Sequence, residues 1–148
     1  MIREGQRLPD RVLDRIPTLV EKISADKSVE ALFIFGSGAE GVLKPLSDLD
    51  FAALLSERLD KKQRFEKHLA LIGIFTGTFK TEEIDLVVMN DAPIRFSYNI
   101  VKEGKLLYCR KRAELVDFVE RTIKLYLDFR FFRDAFDEGY LKGVGYRG

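Results

Sequence analysis

The chain has little soft-metal chemistry: one cysteine, Cys109, one histidine, His68, and no tryptophan. A lone cysteine closes no internal disulfide, and this pair offers no soft metal site; both features suit a reducing compartment. Asn and Gln together number four, a scarcity reported for heat-adapted proteins. Neither charge sign dominates, since 25 Lys and Arg face 24 Asp and Glu for a net charge of +1. That balance argues against a general nucleic-acid surface, which needs clustered cations. Long apolar runs are missing too. The best, Leu69 to Phe75, falls well short of the roughly 18 residues that suggest a membrane span. The opening MIREGQRLPDR lacks a signal peptide's apolar region. These absences lead us to expect a cytoplasmic protein with no membrane and no direct nucleic-acid partner.

What is present fits a globular chain: 148 residues, 46% apolar and 33% charged, with no repeat or linker. One domain spanning 1–148 is expected. Val12, Ile16, Leu19, Val20 and Ile23 are spaced three and four apart, the pattern of an amphipathic helix, with Pro17 starting or kinking its main turn. VEALFIF (29–35) is almost continuously apolar, as a buried central strand is. DLDFAALL gives a second strand over 49–55. A helix follows from Leu59 to about Ile74, with Phe65, Leu69 and Ile72 on one face and an end near Gly73 to Gly77. EIDLVVM (83–89) is a third strand, 92–103 a helix stopped by Gly104, and KLLYC a fourth strand. A long helix from Arg112 to Glu138 carries Phe118, Leu125, Phe129, Phe132 and Phe136 on one stripe and Leu115, Val119, Ile123 and Tyr126 on another. That apolar surface is wider than one sheet face needs. The tail, 139–148, is expected to fray. Strands alternating with helices predict an α/β (α+β) layer architecture.

Chemistry concentrates in FGSGAEGVLKPLSDLD, residues 35–50. Side chains two apart on a strand share a face, so Asp48 and Asp50 project together while Leu49 and Phe51 turn away. Adjacent carboxylates repel unless a cation or proton neutralises them, and Mg²⁺ is suited to a few carboxylates plus phosphate oxygens. Asp85 interrupts the apolar run of the third strand; if that strand lies beside the second, it faces the same point. A bare D-x-D is equally what a capped or solvated loop contains, and Asp85 on an edge strand facing water is the plain alternative. Gly36-Ser37 follows the first strand directly. A helix start there would present free N–H groups to an anion such as a phosphate chain, with Ser37 as cap or phosphate donor.

Gly36-Ser37, ten residues, then Asp48-x-Asp50 resembles the G-S-x10-D-x-D signature of the polymerase-β-like nucleotidyltransferase superfamily. The size and the segment IDLVVMNDAPIRFSYNIVKEGKLLY further resemble the minimal nucleotidyltransferase (MNT, or MntA-type) antitoxins, partners of HEPN-domain ribonuclease toxins. One departure is Glu40, which stands where many relatives carry arginine. The resemblance implies a nucleotidyltransferase fold, a short mixed sheet flanked by helices with a long C-terminal helix. It implies ATP bound with its phosphates at Gly36 and Ser37, and two Mg²⁺ ions held by Asp48, Asp50 and Asp85. Asp85 then completes the second metal site and also serves as base, or serves as ligand alone. The implied reaction moves AMP from ATP to a tyrosine hydroxyl of a cognate HEPN toxin, as the antitoxin of a type VII-like toxin–antitoxin pair. Two other functions remain open: a binding-only antitoxin that blocks its toxin sterically, and an adenylyltransferase acting on small molecules such as aminoglycosides. The aromatic C-terminal helix suits either toxin docking or a homo-oligomer contact. Glu83 is a spare ligand candidate, whereas His68 and Cys109 are read as a surface residue and a structural thiol.

Overall fold

The computed structural model describes residues 12–36, 39 and 48–143, with side chains up to residue 139. Its elements follow the apolar pattern. A 3-10 turn (Val12–Arg15) leads into α1 (Ile16–Ser24), where Pro17 occupies the first turn and needs no N–H partner. Then come β1 (Val29–Phe35), β2 (Leu49–Leu55), α2 (Lys61–Phe79), β3 (Ile84–Val88), a 3-10 turn (Met89–Asp91), α3 (Ile94–Glu103), β4 (Lys105–Cys109) and α4 (Arg112–Gly143). The sheet order is β3-β2-β1-β4. Both neighbours of β1 run antiparallel to it, and β2 and β3 run parallel, so the sheet is mixed as expected.

Period-two alternation divides the core. Val29, Leu32, Ile34, Leu49, Phe51, Ala53, Leu55, Leu86 and Val88 face α1 and α2, joined by Leu19, Ile23, Leu71, Phe75 and Phe79. Ala31, Phe33, Ala52 and Leu54 face the other way, against Ile100 of α3 and Leu115 of α4. Phe51 anchors the first layer. Its ring meets Phe75 edge-on at 5.1 Å and stacks on Phe79 at 5.4 Å, geometries that add to plain area burial.

α2 corrects two expectations. It begins at a capping box: Gln63 N–H donates to Asp60 Oδ1 at 2.8 Å, and Asp60 N–H donates to Gln63 Oε1 at 2.9 Å. It does not stop near Gly73 but runs through Gly73 and Gly77 to Phe79, then ends at Lys80 in the left-handed conformation (φ 55°). Nothing lies within 4 Å of a Cβ built on either glycine, so neither has a packing role. The buried stripe is Leu71, Phe75, Thr78 and Phe79, while Phe65, Leu69 and Ile72 are exposed. Apolar residues surround this helix. The stripe able to seat two phenylalanines on Phe51 is the one turned inward.

α4 also continues past the expected boundary, through Gly139 to Gly143; residues 144–148 lie outside the described part. Among the described residues, no helix is long and apolar enough to cross a membrane.

Candidate active site

The acidic residues gather at the sheet edge where β1 ends and β2 and β3 begin. In the parallel ladder Leu49 pairs with Ile84 and Asp50 with Asp85, so the two carboxylates sit side by side on adjacent strands. Leu49 and Phe51 are fully buried in the α1–α2 layer, so alternation turns Asp50 to the opposite face. Leu86 and Val88 enter that same layer, and Asp85 is turned away with Asp50. The Leu49 N–H donates to the Glu83 carbonyl at 2.9 Å, extending the pairing one step before β3 and holding its register. Asp48 immediately precedes β2 and is partly buried, while Asp85 is exposed.

Electrostatics register this crowding. The Asp50 carboxyl is held above the ordinary aspartate range, first by burial and then by the negative charges of Asp85 and Asp48. Asp50 thus lies within the fields of both Asp48 and Asp85. Among the described residues, however, no three acidic, His or Cys side chains converge on a single point.

Gly36 closes the other side. It pairs no strand residue, follows Phe35, the register partner of Asp50, and adopts φ +67°. A Cβ built on it would stand 2.6 Å from Asp50 Oδ2. Glycine is therefore required twice here, for the left-handed conformation and for the close approach of backbone to carboxylate. The Ala39 N–H donates to the Gly36 carbonyl at 3.2 Å, which makes a tight turn directly after β1. Ser37 and Glu40 lie outside the described residues.

Sequence reasoning missed three supports of the sheet that carries this edge. Phe35 meets Phe96 of α3 edge-on at 5.7 Å, tying the end of β1 to α3 on the carboxylate face. The Asn90 amide accepts from the Leu55 N–H at 2.8 Å and donates to the Leu55 carbonyl at 2.9 Å, extending β2 with a side chain. His68 is not free in solvent: its Nε2 bonds the Leu86 carbonyl at 2.6 Å, which makes that nitrogen the protonated one. Only the Phe35 and Phe96 pairing had any signal in the sequence, as aromatics at an element's end. Cys109 is half-buried in β4 opposite Ala31, as a structural thiol would be.

Comparison with known proteins agrees with this architecture. The family model described as "Polymerase beta, Nucleotidyltransferase" matches residues 18–113. A protein named protein adenylyltransferase MntA from Aphanizomenon flos-aquae is 30% identical over 127 residues, covering 82% of this chain and 78% of the relative. A Shewanella oneidensis protein of the same name is 26% identical over 107 residues, covering 72% and 73%. A crystal structure described as a toxin–antitoxin with AMP-PNP superposes with TM-score 0.63 at 23% identity, over 86% of this chain and 97% of that one. Another, of an MntA–HepT toxin–antitoxin, gives 0.61 at 18% identity, over 87% and 98%. A strand-end glycine turn seated against paired carboxylates is thus joined to a family match that spans the whole sheet, and the chain belongs to the polymerase β nucleotidyltransferase family.

Proposed function

We propose that this nucleotidyltransferase transfers AMP from ATP to a tyrosine hydroxyl on a HEPN-type ribonuclease toxin and thereby acts as the toxin's antitoxin in the cytoplasm. The observation that carries the site is the register of Asp50 against Asp85 on parallel strands, with Asp48 adjacent and the Gly36 backbone against Asp50. The curated relatives named protein adenylyltransferase support the reaction class. The structure of a tri-AMPylated HEPN toxin with an MNT antitoxin, matched at TM-score 0.58, has the same fold.

In this reading the donor set fits a hard divalent cation: all-oxygen, acidic and destabilised by its own repulsion. Asp48, Asp50 and Asp85 would hold Mg²⁺. Held there, Mg²⁺ would supply neutralisation of triphosphate charge and Lewis-acid stabilisation of the reacting phosphate. The chain's own residues supply the rest. The turn at Gly36 brings backbone against the carboxylate cluster, where a phosphate chain is gripped, and Ser37 is its hydroxyl donor. Asp85, the most exposed of the three, faces the acceptor and takes the proton of the tyrosine hydroxyl. That oxygen bonds to the α-phosphorus of ATP, the bond to the β-phosphate bridging oxygen breaks, and pyrophosphate leaves. The sheet keeps the carboxylates in register throughout.

The test incubates the protein with α-labelled ATP, Mg²⁺ and the HEPN protein of the neighbouring reading frame. Label should appear on the toxin, and the Asp48→Asn/Asp50→Asn variant should transfer none while keeping its circular dichroism spectrum. A toxin that is inhibited without acquiring label would favour steric blocking instead.

A further inference from the structure

The sheet register sets a row of three side chains on the carboxylate face. Asp85 of β3 pairs with Asp50 of β2, and Asp50 pairs with Phe35 of β1. Paired residues of neighbouring strands stand on one face with their Cβ atoms about 5 Å apart. Phe35 therefore flanks Asp50 on the side away from Asp85. It packs with Ala31, Phe33, Ala52 and Leu54, the layer toward which Asp50 turns. Its backbone leads directly into Gly36, whose left-handed turn sits against Asp50 Oδ2. One residue thus carries both an aromatic wall beside a carboxylate and the root of the glycine turn.

The ladder holds that residue weakly. Phe35 is the last residue of β1, and the pairing with β4 stops at Ile34, which leaves Phe35 paired to Asp50 alone. A further hold comes from α3. Phe96 meets the Phe35 ring at a centroid distance of 5.7 Å with the planes at 90°, a preferred geometry for two rings. α3 is fixed independently of this contact. Ser97 is buried and its hydroxyl donates to the Met89 carbonyl at 3.2 Å. Ile100 is buried in the same layer as Phe33, and Tyr98 stacks on Tyr126 of α4 at 3.9 Å. Phe96 itself is 37% exposed, so the helix does not depend on burying this ring.

We propose that Phe96 is a positioning residue for nucleotidyl transfer: from a helix anchored elsewhere, its ring braces Phe35 and so fixes the Gly36 turn against Asp50. The role rests on the site proposed above, with the triphosphate gripped at that turn. Once the brace is removed, the end of β1 shifts relative to Asp50, and displacements of about 1 Å matter at a reacting centre. The carboxylates keep their own register, because β2 and β3 hold each other. Leucine at 96 is apolar and close in size but presents no ring, so Phe96→Leu removes the brace and keeps the cover.

Titration calorimetry with Mg²⁺ and α,β-methylene ATP, which cannot release pyrophosphate, reads the grip without any acceptor. Wild type should bind. Phe96→Leu should bind about 10-fold more weakly, the ratio to which the upper energy of one aromatic pair corresponds, with a urea midpoint close to that of wild type. In a Phe35→Leu background, Phe96→Leu should make no further difference. Phe65→Leu, 61% exposed on α2, should bind as wild type does. A wild-type protein that binds no nucleotide overturns the site reading and this role with it. Equal binding by wild type and Phe96→Leu overturns the brace and leaves the site standing. A loss that persists undiminished in the Phe35→Leu background also overturns it, since the effect would not pass through Phe35.

Discussion

Neutralising Asp50 should stabilise the metal-free protein. In the native fold this carboxyl is half-buried beside Asp85 and near Asp48, and its affinity for a proton is raised by burial and by those two charges. Adjacent strands lie about 4.8 Å apart, so two same-face carboxylates at that separation repel by about 0.9 kcal/mol in bulk water and about 3.5 kcal/mol at an effective dielectric of 20. Asp85 is exposed and salt screens the pair, which places the net effect near the lower figure, about 1 kcal/mol. For a chain of this length that corresponds to roughly 3 °C in Tm. Differential scanning calorimetry in EDTA at neutral pH should show Asp50→Asn melting higher by that amount. The sign with pH is fixed. A carboxyl whose folded pKa is raised contributes full stability below its unfolded pKa, near 3.9, and loses it as pH rises through the folded value. The advantage of the variant should therefore disappear on acidification toward pH 4. A cycle with Asp85→Asn isolates the pair, and a coupling of about 1 kcal/mol is expected. An Asp50→Asn protein that melts no higher than wild type, with zero coupling to Asp85, would refute the reasoning.

Two further outcomes follow from the packing. Gly36→Ala forces a left-handed backbone on a residue with a Cβ, at about 1–2 kcal/mol, and drives that Cβ into Asp50 Oδ2; AMP transfer should fall at least ~100-fold, as a 1 Å misplacement at a catalytic centre can cause, while far-ultraviolet dichroism stays native. A Gly36→Ala protein with wild-type transfer would separate the turn from the site. Phe75→Ala empties the space against Phe51 and should cost about 3–5 kcal/mol in urea unfolding, whereas Phe65→Ala, on the exposed face of the same helix, should cost well under 1 kcal/mol.

Legibility differed sharply among elements. β1, β2 and β4 coincide with the ranges read from their apolar runs; for β1 and β2 the reason is that a strand covered on both faces leaves little room for polar interruption. Period-two alternation also gave the shared face of Asp50 with Asp85 once the strands were neighbours. That β2 and β3 pair in parallel was not readable, since pairing depends on the whole sheet. Helix faces were harder. α2 is apolar around its circumference, so periodicity offered Phe65, Leu69 and Ile72 as readily as Leu71, Phe75 and Phe79, and only the volume available on Phe51 chose between them. Glycines misled at both long helices: Gly73, Gly77 and Gly139 suggested stops, but a glycine weakens a helix by only about 1 kcal/mol, which neighbouring turns offset. His68 and Asn90 bind backbone atoms 18 and 35 positions away, and nothing local marks such a bond.

The bond from His68 to Leu86 has a consequence for the molecule in a crowded solution. β3 is the outermost strand on its side, and an outermost strand offers a row of bare amides and carbonyls to any passing chain. With an imidazole fastened across the middle of that row, an incoming strand would first have to dislodge a side chain anchored on α2. The histidine thus serves as a guard against unwanted lengthening of the sheet.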